Sequence, residues 1–373
     1  MADLVGDSPR DMAAGPPPPS DDAEARGRRR RRFLALAAGG AATAAAGGWV
    51  GSRLLRPAGR TAAGAPPPAA APSPGLVVKV THPDVLDASM RADAEVALDM
   101  VDAAMARLTG QAERAAAWGS LFSPQDVVAI KVNCLAPRLS SHPEIADAIV
   151  AGLRAAGLPP ENIIIYDRLT RELERAGFKP NTGRGVRCFG SDAAGYDAEP
   201  TEAGSVGSCL SRIVSEMATA IINLPVVKDH DVAGVSIALK NHFGSINNPN
   251  KQHENHCSPQ VADLNLFPPL RAKQRLIIAD ALTVTYDGGP AYKPNTSANC
   301  RSILAATDPV ALDAVGLDLI EALRREAGLP PLSEEDREPK YIAVAADAQH
   351  GLGIADLSRI RRVEVNLGRG GRS

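Results

Sequence analysis

The chain has 373 residues, 45% of them apolar and only 3% aromatic, with 33 Gly, 30 Pro and 5 Cys. Lys and Arg number 41 against 43 Asp and Glu, a formal charge of −2, and the pI is about 6.4. This composition excludes a membrane bundle, a collagen-like fibre and a wholly disordered chain, and with no strong pull on a polyanion no nucleic-acid partner is expected.

The charge is uneven. Residues 1–74 hold 10 Arg and 6 acidic groups, leaving 31 basic and 37 acidic groups in the rest. The run Arg28-Arg29-Arg30-Arg31-Arg32-Phe33-Leu34 precedes an uncharged stretch rich in Ala and Gly that ends near Ser52. A positive segment followed by a mildly apolar one reads as an export signal. The order Arg30-Arg31-x-Phe33-Leu34 resembles the twin-arginine type, which implies the twin-arginine translocation machinery as a partner and export of an already folded chain. A basic terminus without structure and an uncleaved anchor are the other readings, since Phe33 to Ser52 could span a bilayer of ~30 Å. So much Gly and Ala argues against a stable membrane span after processing. Residues 1–55 are therefore expected to be the signal and 56–75 a Pro/Ala-rich linker. Location is expected to be periplasmic or extracellular, membrane-tethered if the leader stays on.

From 76 to 366 the pattern is that of an α/β domain, followed by a tail over 367–373. Leu76-Val77-Val78-Lys79-Val80 predicts a strand, and Met90, Val96, Met100 and Met105 predict a helix over 88–108. Asp126 to Val132 predicts a buried strand, Pro143 to Ala156 a helix opened by proline, and Asn162 to Tyr166 another strand. This βαβ unit argues for a mostly parallel sheet flanked by helices, with two lobes about the site as one possible arrangement. Ala220 to Pro225, Arg275 to Asp280 and Ile303 to Ala306 predict further strands, and Asp308 predicts the cap of a helix over 309–327.

In open α/β sheets ligands bind beyond the carboxyl ends of strands, which directs attention to Asn133, Asp167, Arg168, Lys228, His230 and Asp280. Asn133 and Ser140-Ser141-His142 stand before a helix start, where an anion can be held. Four of the seven histidines, His230, His242, His253 and His256, crowd into residues 228–257 with Lys228, Lys240 and Lys251. Imidazole serves as metal ligand and proton carrier, and Gly234, Gly244 and Pro249 interrupt regular structure there. An ordinary solvated loop is the competing reading. The cysteines Cys134, Cys188, Cys209, Cys257 and Cys300 are odd in number and widely spaced, without CxxC, so no iron–sulfur cluster is expected. A redox role for Cys134 or Cys257 requires a nearby cation. Asp347, His350 and Gly351-Leu352-Gly353 form a late turn able to close over a site.

Several ordered motifs resemble domain-of-unknown-function family 362: Ile221-Ile222-Asn223-Leu224-Pro225-x-x-Lys228-x-His230, Leu239-Lys240-Asn241-x-x-Gly244, Asp280-Ala281, Asp308-Pro309-Val310-Ala311-Leu312-Asp313 and Gly351-Leu352-Gly353. The likeness runs from about residue 76 to 366. A fainter resemblance is to nickel-pincer lactate racemases, through His230, Ala233-Gly234-x-Ser236, Lys240 and Asn255-His256 in that order. It implies that Lys240 tethers a cofactor, that His256 binds a divalent metal such as nickel, and that His230 is the acid/base. Leu239 stands where that family has arginine, and Tyr166-Asp167-Arg168 lacks its second acid/base histidine.

Combined, these readings make His230 and Lys228 the candidate catalytic residues and Lys240 and Asn241 the candidate cofactor-binding residues. His256 and His253 become candidate metal ligands, with Asn133, Asp167, Arg168, His242 and Asp280 as further pocket residues. Two functions follow: an enzyme using a metal or cofactor on a small anionic, hydroxy-acid-like molecule, or a small-anion-binding or cofactor-handling protein without turnover.

Overall fold

The computed structural model describes residues 75–368. The expected signal, all of the linker but Gly75, and the end of the tail lie outside the described residues. The apolar runs form an 11-stranded sheet: β1 (Leu76–Thr81), β2 (Val128–Lys131), β3 (Ile163–Tyr166), β4 (Arg187–Cys188), β5 (Ala220–Asn223), β6 (Val226–His230), β7 (Gly234–Ser236), β8 (Gln274–Thr285), β9 (Ser297–Ala298), β10 (Ser302–Ala306) and β11 (Arg361–Asn366). The spine of the sheet runs β11-β1-β10-β8-β5-β2-β3-β4. Within this spine only β10 runs against its neighbours. The α/β class with a mostly parallel sheet is thus as expected.

Helices cover both faces, which is why the central strands β2, β3 and β5 are buried at every position rather than at alternate ones. Val128, Ile130, Ile163 and Ile165 share a core with Met100 and Met105 of α1 (Ala94–Thr109), Trp118 of α2 (Arg114–Gly119) and Ile145 and Ile149 of α3 (Pro143–Ala155). Ala129, Ile164, Ile221 and Ile277 point the other way, into a core with Leu264 of α5 (Gln260–Asn265) and Leu312 and Val315 of α6 (Pro309–Glu326). A short turn of helix, α4 (Ala238–Asn241), lies between these last elements and the sheet. Residues 75–368 fall within one compact unit.

Three local departures have physical causes. The first helix begins at Ala94, six residues later than the periodicity suggests. Asp87 accepts from Ser89 N and Arg91 N, bending the chain through Met90 at φ 66°, and only then does Asp93 cap Glu95 N and Val96 N. At Pro225, which has no N–H to give, the chain leaves β5 and re-enters as β6 farther along β8. Accordingly β8 continues to Thr285, and Asp280 lies inside a strand rather than at its end. Asp308 caps α6 as expected, accepting from Val310 N and Ala311 N, and its second oxygen accepts from Ile354 N.

Helix α3 packs closely on α2 at Gly152. A Cβ placed on Gly152 would run into the indole ring of Trp118, which is fully buried. In an ordinary helix Gly→Ala gains about 1 kcal/mol. Here forced overpacking costs roughly 1–3 kcal/mol and outweighs it. Gly152→Ala is expected to lower the thermal midpoint, and a raised midpoint would contradict this packing.

Candidate functional site

The parallel strands β2, β3 and β5 deliver their carboxyl ends to one edge of the sheet, and there a cavity of about 230 Å³ opens. Its lining includes Lys131, Asn133, Asp167, Arg168, Glu172, Lys228, His230, Ser236, Lys240, Asn241, Phe243, Gly244, Pro249, Asn250 and His253. Lys131 and Asp167 follow each other across adjacent strands, with Nζ 2.7 Å from Oδ1 and both side chains buried. Asp167 also accepts from Cys134 N at 2.6 Å and from Arg168 N at 2.8 Å, while Lys131 donates to Val132 O. Gly244 is required beside this pair, because a Cβ there would come within 2.6 Å of both charged atoms. Arg168 is paired with Glu172 at 3.1 Å.

Lys228 and Lys240 have no such partner: among the described residues neither makes an ion pair. Lys228, on β6, is 1% exposed and donates to Asn133 Oδ1 at 2.7 Å. Asn133 Nδ2 in turn donates to Asn241 Oδ1, and Asn241 Nδ2 to Asn223 Oδ1. Burial pulls the Lys228 ammonium down to about 8, with Lys240 and Lys131 adding to it against the attraction of Asp167. Lys240, on α4, lies over the Phe243 ring at 4.2 Å and contacts His253 Nε2 at 3.0 Å. It too is pulled down to about 8 by burial, against weaker attraction from Cys257 and Asp231. The turn carrying Lys240 is fixed by the buried Asp313 of α6, which accepts from Ala238 N and Leu239 N.

The two imidazoles are neutral. His230 Nδ1 accepts from Val232 N and Ala233 N at 3.2 and 3.3 Å, so the ring proton belongs on Nε2. Burial, followed by the charges of Lys240, His253 and Lys228, pushes His230 down to about 2. His253 stacks on it with centroids 5.6 Å apart and has its Nδ1 3.0 Å from Pro249 O. A carbonyl oxygen only accepts, so His253 carries its proton on Nδ1 and turns its Nε2 lone pair to Lys240. Burial, then the Lys240 charge, lowers its basicity.

The structure therefore brings Asn133, Asp167, Arg168, Lys228, His230, Lys240, Asn241 and His253 together. It places three other candidates elsewhere. His242 is buried in the core, its Nε2 2.8 Å from Gln274 Oε1, and burial pushes it down to about 4. Asp280 accepts from His142 N and Nδ1 at 2.9 and 2.7 Å, beside a second cavity of about 200 Å³ lined by Arg138, His142, Arg175 and Tyr292. His256 has a side chain 42% exposed, its Nδ1 3.2 Å from Val232 O. Asn255, His256 and Cys257 all have positive φ, from 48 to 60°, and this left-handed turn carries His256 away from the cavity lining. Among the described residues no three His, Cys, Asp or Glu side chains converge as a metal site. The residues present do not fit a resident metal ion ligated by His253 and His256.

The late turn closes over α5 rather than over the cavity: His350 bridges Asp263 and Asp347 at 3.0 and 2.8 Å. All five cysteines are free thiols, and burial pushes Cys134 and Cys257 up, away from the thiolate form. Lys131 and Phe243 belong to the site but were not singled out by sequence. A lysine inside the otherwise apolar run Val127 to Val132 is the signal that could have found the first.

Removing Asp167 would leave Lys131 buried without a counter-charge, which typically costs about 3–5 kcal/mol. Asp167→Asn is expected to lower the denaturant midpoint by that measure, and adding Lys131→Met should recover much of the loss. A single variant within about 1 kcal/mol of the parent would show that the pair is not buried as described.

No curated protein matches the chain. The family model described as Domain of unknown function (DUF362) matches residues 128–318, a stretch that contains every residue lining the cavity. The match covers just over half of the 373 residues, and the chain belongs to this family.

Proposed function

We propose that the cavity binds a small anionic molecule between Lys228 and Lys240. The observation that carries this reading is the burial of two ammonium groups with no carboxylate partner among the described residues, beside a pocket that also presents neutral donors. Burying an ion is costly unless a counter-charge meets it, and here the missing counter-charge is the ligand's. A volume of about 230 Å³ suits a compact carboxylate or phosphate rather than a nucleotide or a peptide. Lys228 would face the anion from Asn133, Lys240 from His253, and the Nε2–H of neutral His230 would add a hydrogen bond without adding charge.

Hydroxy- and oxo-acids of three or four carbons are the ligand class this chemistry favours. The order of Arg28 to Leu34 supports export by the twin-arginine route, with the pocket folded before it leaves the cytoplasm. Whether the bound anion is only held or also transformed depends on Lys240 and His253.

Anion affinity should be greatest where both lysines are charged. With both groups lowered to about 8, binding is expected to be strong at neutral pH and to fall as pH rises through about 8. Each charged hydrogen bond is worth about 1.5–3 kcal/mol. Lys228→Met and Lys240→Met should each weaken binding by roughly 10- to 150-fold. Calorimetry with lactate, pyruvate and inorganic phosphate between neutral and alkaline pH checks this. Affinity independent of pH and of both lysines would refute the reading.

A further inference from the structure

Lys240 and His253 are arranged in a way that anion binding alone does not require. The His253 Nδ1–H donates to Pro249 O at 3.0 Å, which fixes the ring and leaves its Nε2 lone pair 3.0 Å from Lys240 Nζ. An amine, a base within hydrogen-bond reach and a third group orienting that base form the general pattern of an activated nucleophile. Phe243 covers one side of the amine at 4.2 Å, and Lys228, facing the same cavity, is free to hold a carboxylate.

We propose that Lys240 is an amine nucleophile toward small aldehydes and ketones that bear a carboxylate, with His253 as its proton carrier and Lys228 as the anchor of the carboxylate. This rests on the anion-binding reading above. The Lys240 ammonium passes a proton to His253 Nε2. The freed nitrogen lone pair forms a bond to the carbonyl carbon while the C=O π pair moves to oxygen. That alkoxide takes the proton from His253, which then accepts a second proton from the nitrogen. As the C–O bond breaks, His253 returns this proton to the departing oxygen and the nitrogen lone pair closes the C=N bond. The products are a protonated imine on Lys240 and one water whose two hydrogens come from the ammonium. Charge is conserved, and no oxidant, reductant or metal enters.

Pyruvate and glyoxylate with borohydride provide the test on the 373-residue protein, with intact mass, peptide mapping and lactate as a carbonyl-free anion. A single reduced adduct on the peptide containing Lys240 is expected, absent in Lys240→Arg. His253→Gln should slow trapping by at least about 10²-fold at saturating carbonyl concentration, and Lys228→Met should raise the concentration needed for half-maximal trapping. Peptide mapping of the unaltered protein decides the site even if a variant does not fold. An adduct on Lys228 or scattered over surface lysines would overturn the proposal. So would lactate binding without any adduct from either carbonyl probe, which would leave the anion reading standing. If neither these three anions nor inorganic phosphate binds, both readings fall.

Discussion

Three lysine ammonium groups buried at one edge of a sheet, with a single carboxylate among the described residues paired to them, are the constraint around which this structure is built. Moving a charge from water into a protein interior costs several kcal/mol even after relaxation. Lys131 meets that cost with three hydrogen bonds, one of them the ion pair with Asp167, in the space that Gly244 leaves open. Lys228 and Lys240 meet it only in part, through an amide oxygen, an imidazole and an aromatic face. The remainder appears as their depressed basicity, and in the proposed reading a bound anion offsets it.

Holding two ammonium groups near each other requires stiff supports, and the fold provides them from both sides. Asn133, Asn241, Asn223 and Gln274 form a chain of amides running from the cavity into the core, each committed to its neighbours. Such a network, buried at Asn223 and Asn241, fixes orientation, because rotating either of these amides would orphan a polar atom. On the far side, the β6–β7 hairpin that carries Lys228 and His230 is clasped by Arg337 against Asp229 at 2.9 Å. Arg337 also reaches Asp287 and Glu335, which are shared with the wholly buried Arg324. Asp229 is thereby occupied by arginine and does not neutralise the lysine beside it.

Much of the fold was legible because helices cover both faces of the sheet. Runs such as Val128 to Lys131 and Ile163 to Tyr166 are buried throughout, and Asp308-Pro309 marks a helix start by simple capping chemistry. The first helix was misplaced because an Asp87 turn, not periodicity, decides where the chain can enter it. For the site, crowding of histidine and lysine located the right segment without distinguishing its members. His230 and His253 share the cavity, whereas His242 turns inward to Gln274 and His256 is carried outward by three left-handed residues, a conformation that Asn-His-Cys does not announce. Asp280 looked like a strand-end ligand only because Pro225 hides the continuation of β8 past β5. The tautomers that distinguish a donor at His230 from an acceptor at His253 depend on two backbone amides and one carbonyl, and these are tertiary facts.

Everything proposed for the cavity depends on Lys228 and Lys240 being a buried pair of positive charges without a carboxylate partner among the described residues. Soaking crystals of the protein in bromide and measuring its anomalous scattering tests this most directly, since bromide is a bare monovalent anion with no shape to recognise. One strong site is expected between Lys228 Nζ and Lys240 Nζ at neutral pH, emptying in crystals held well above pH 8. No bromide there at neutral pH, or the two lysines turned onto carboxylates of the chain, would contradict it.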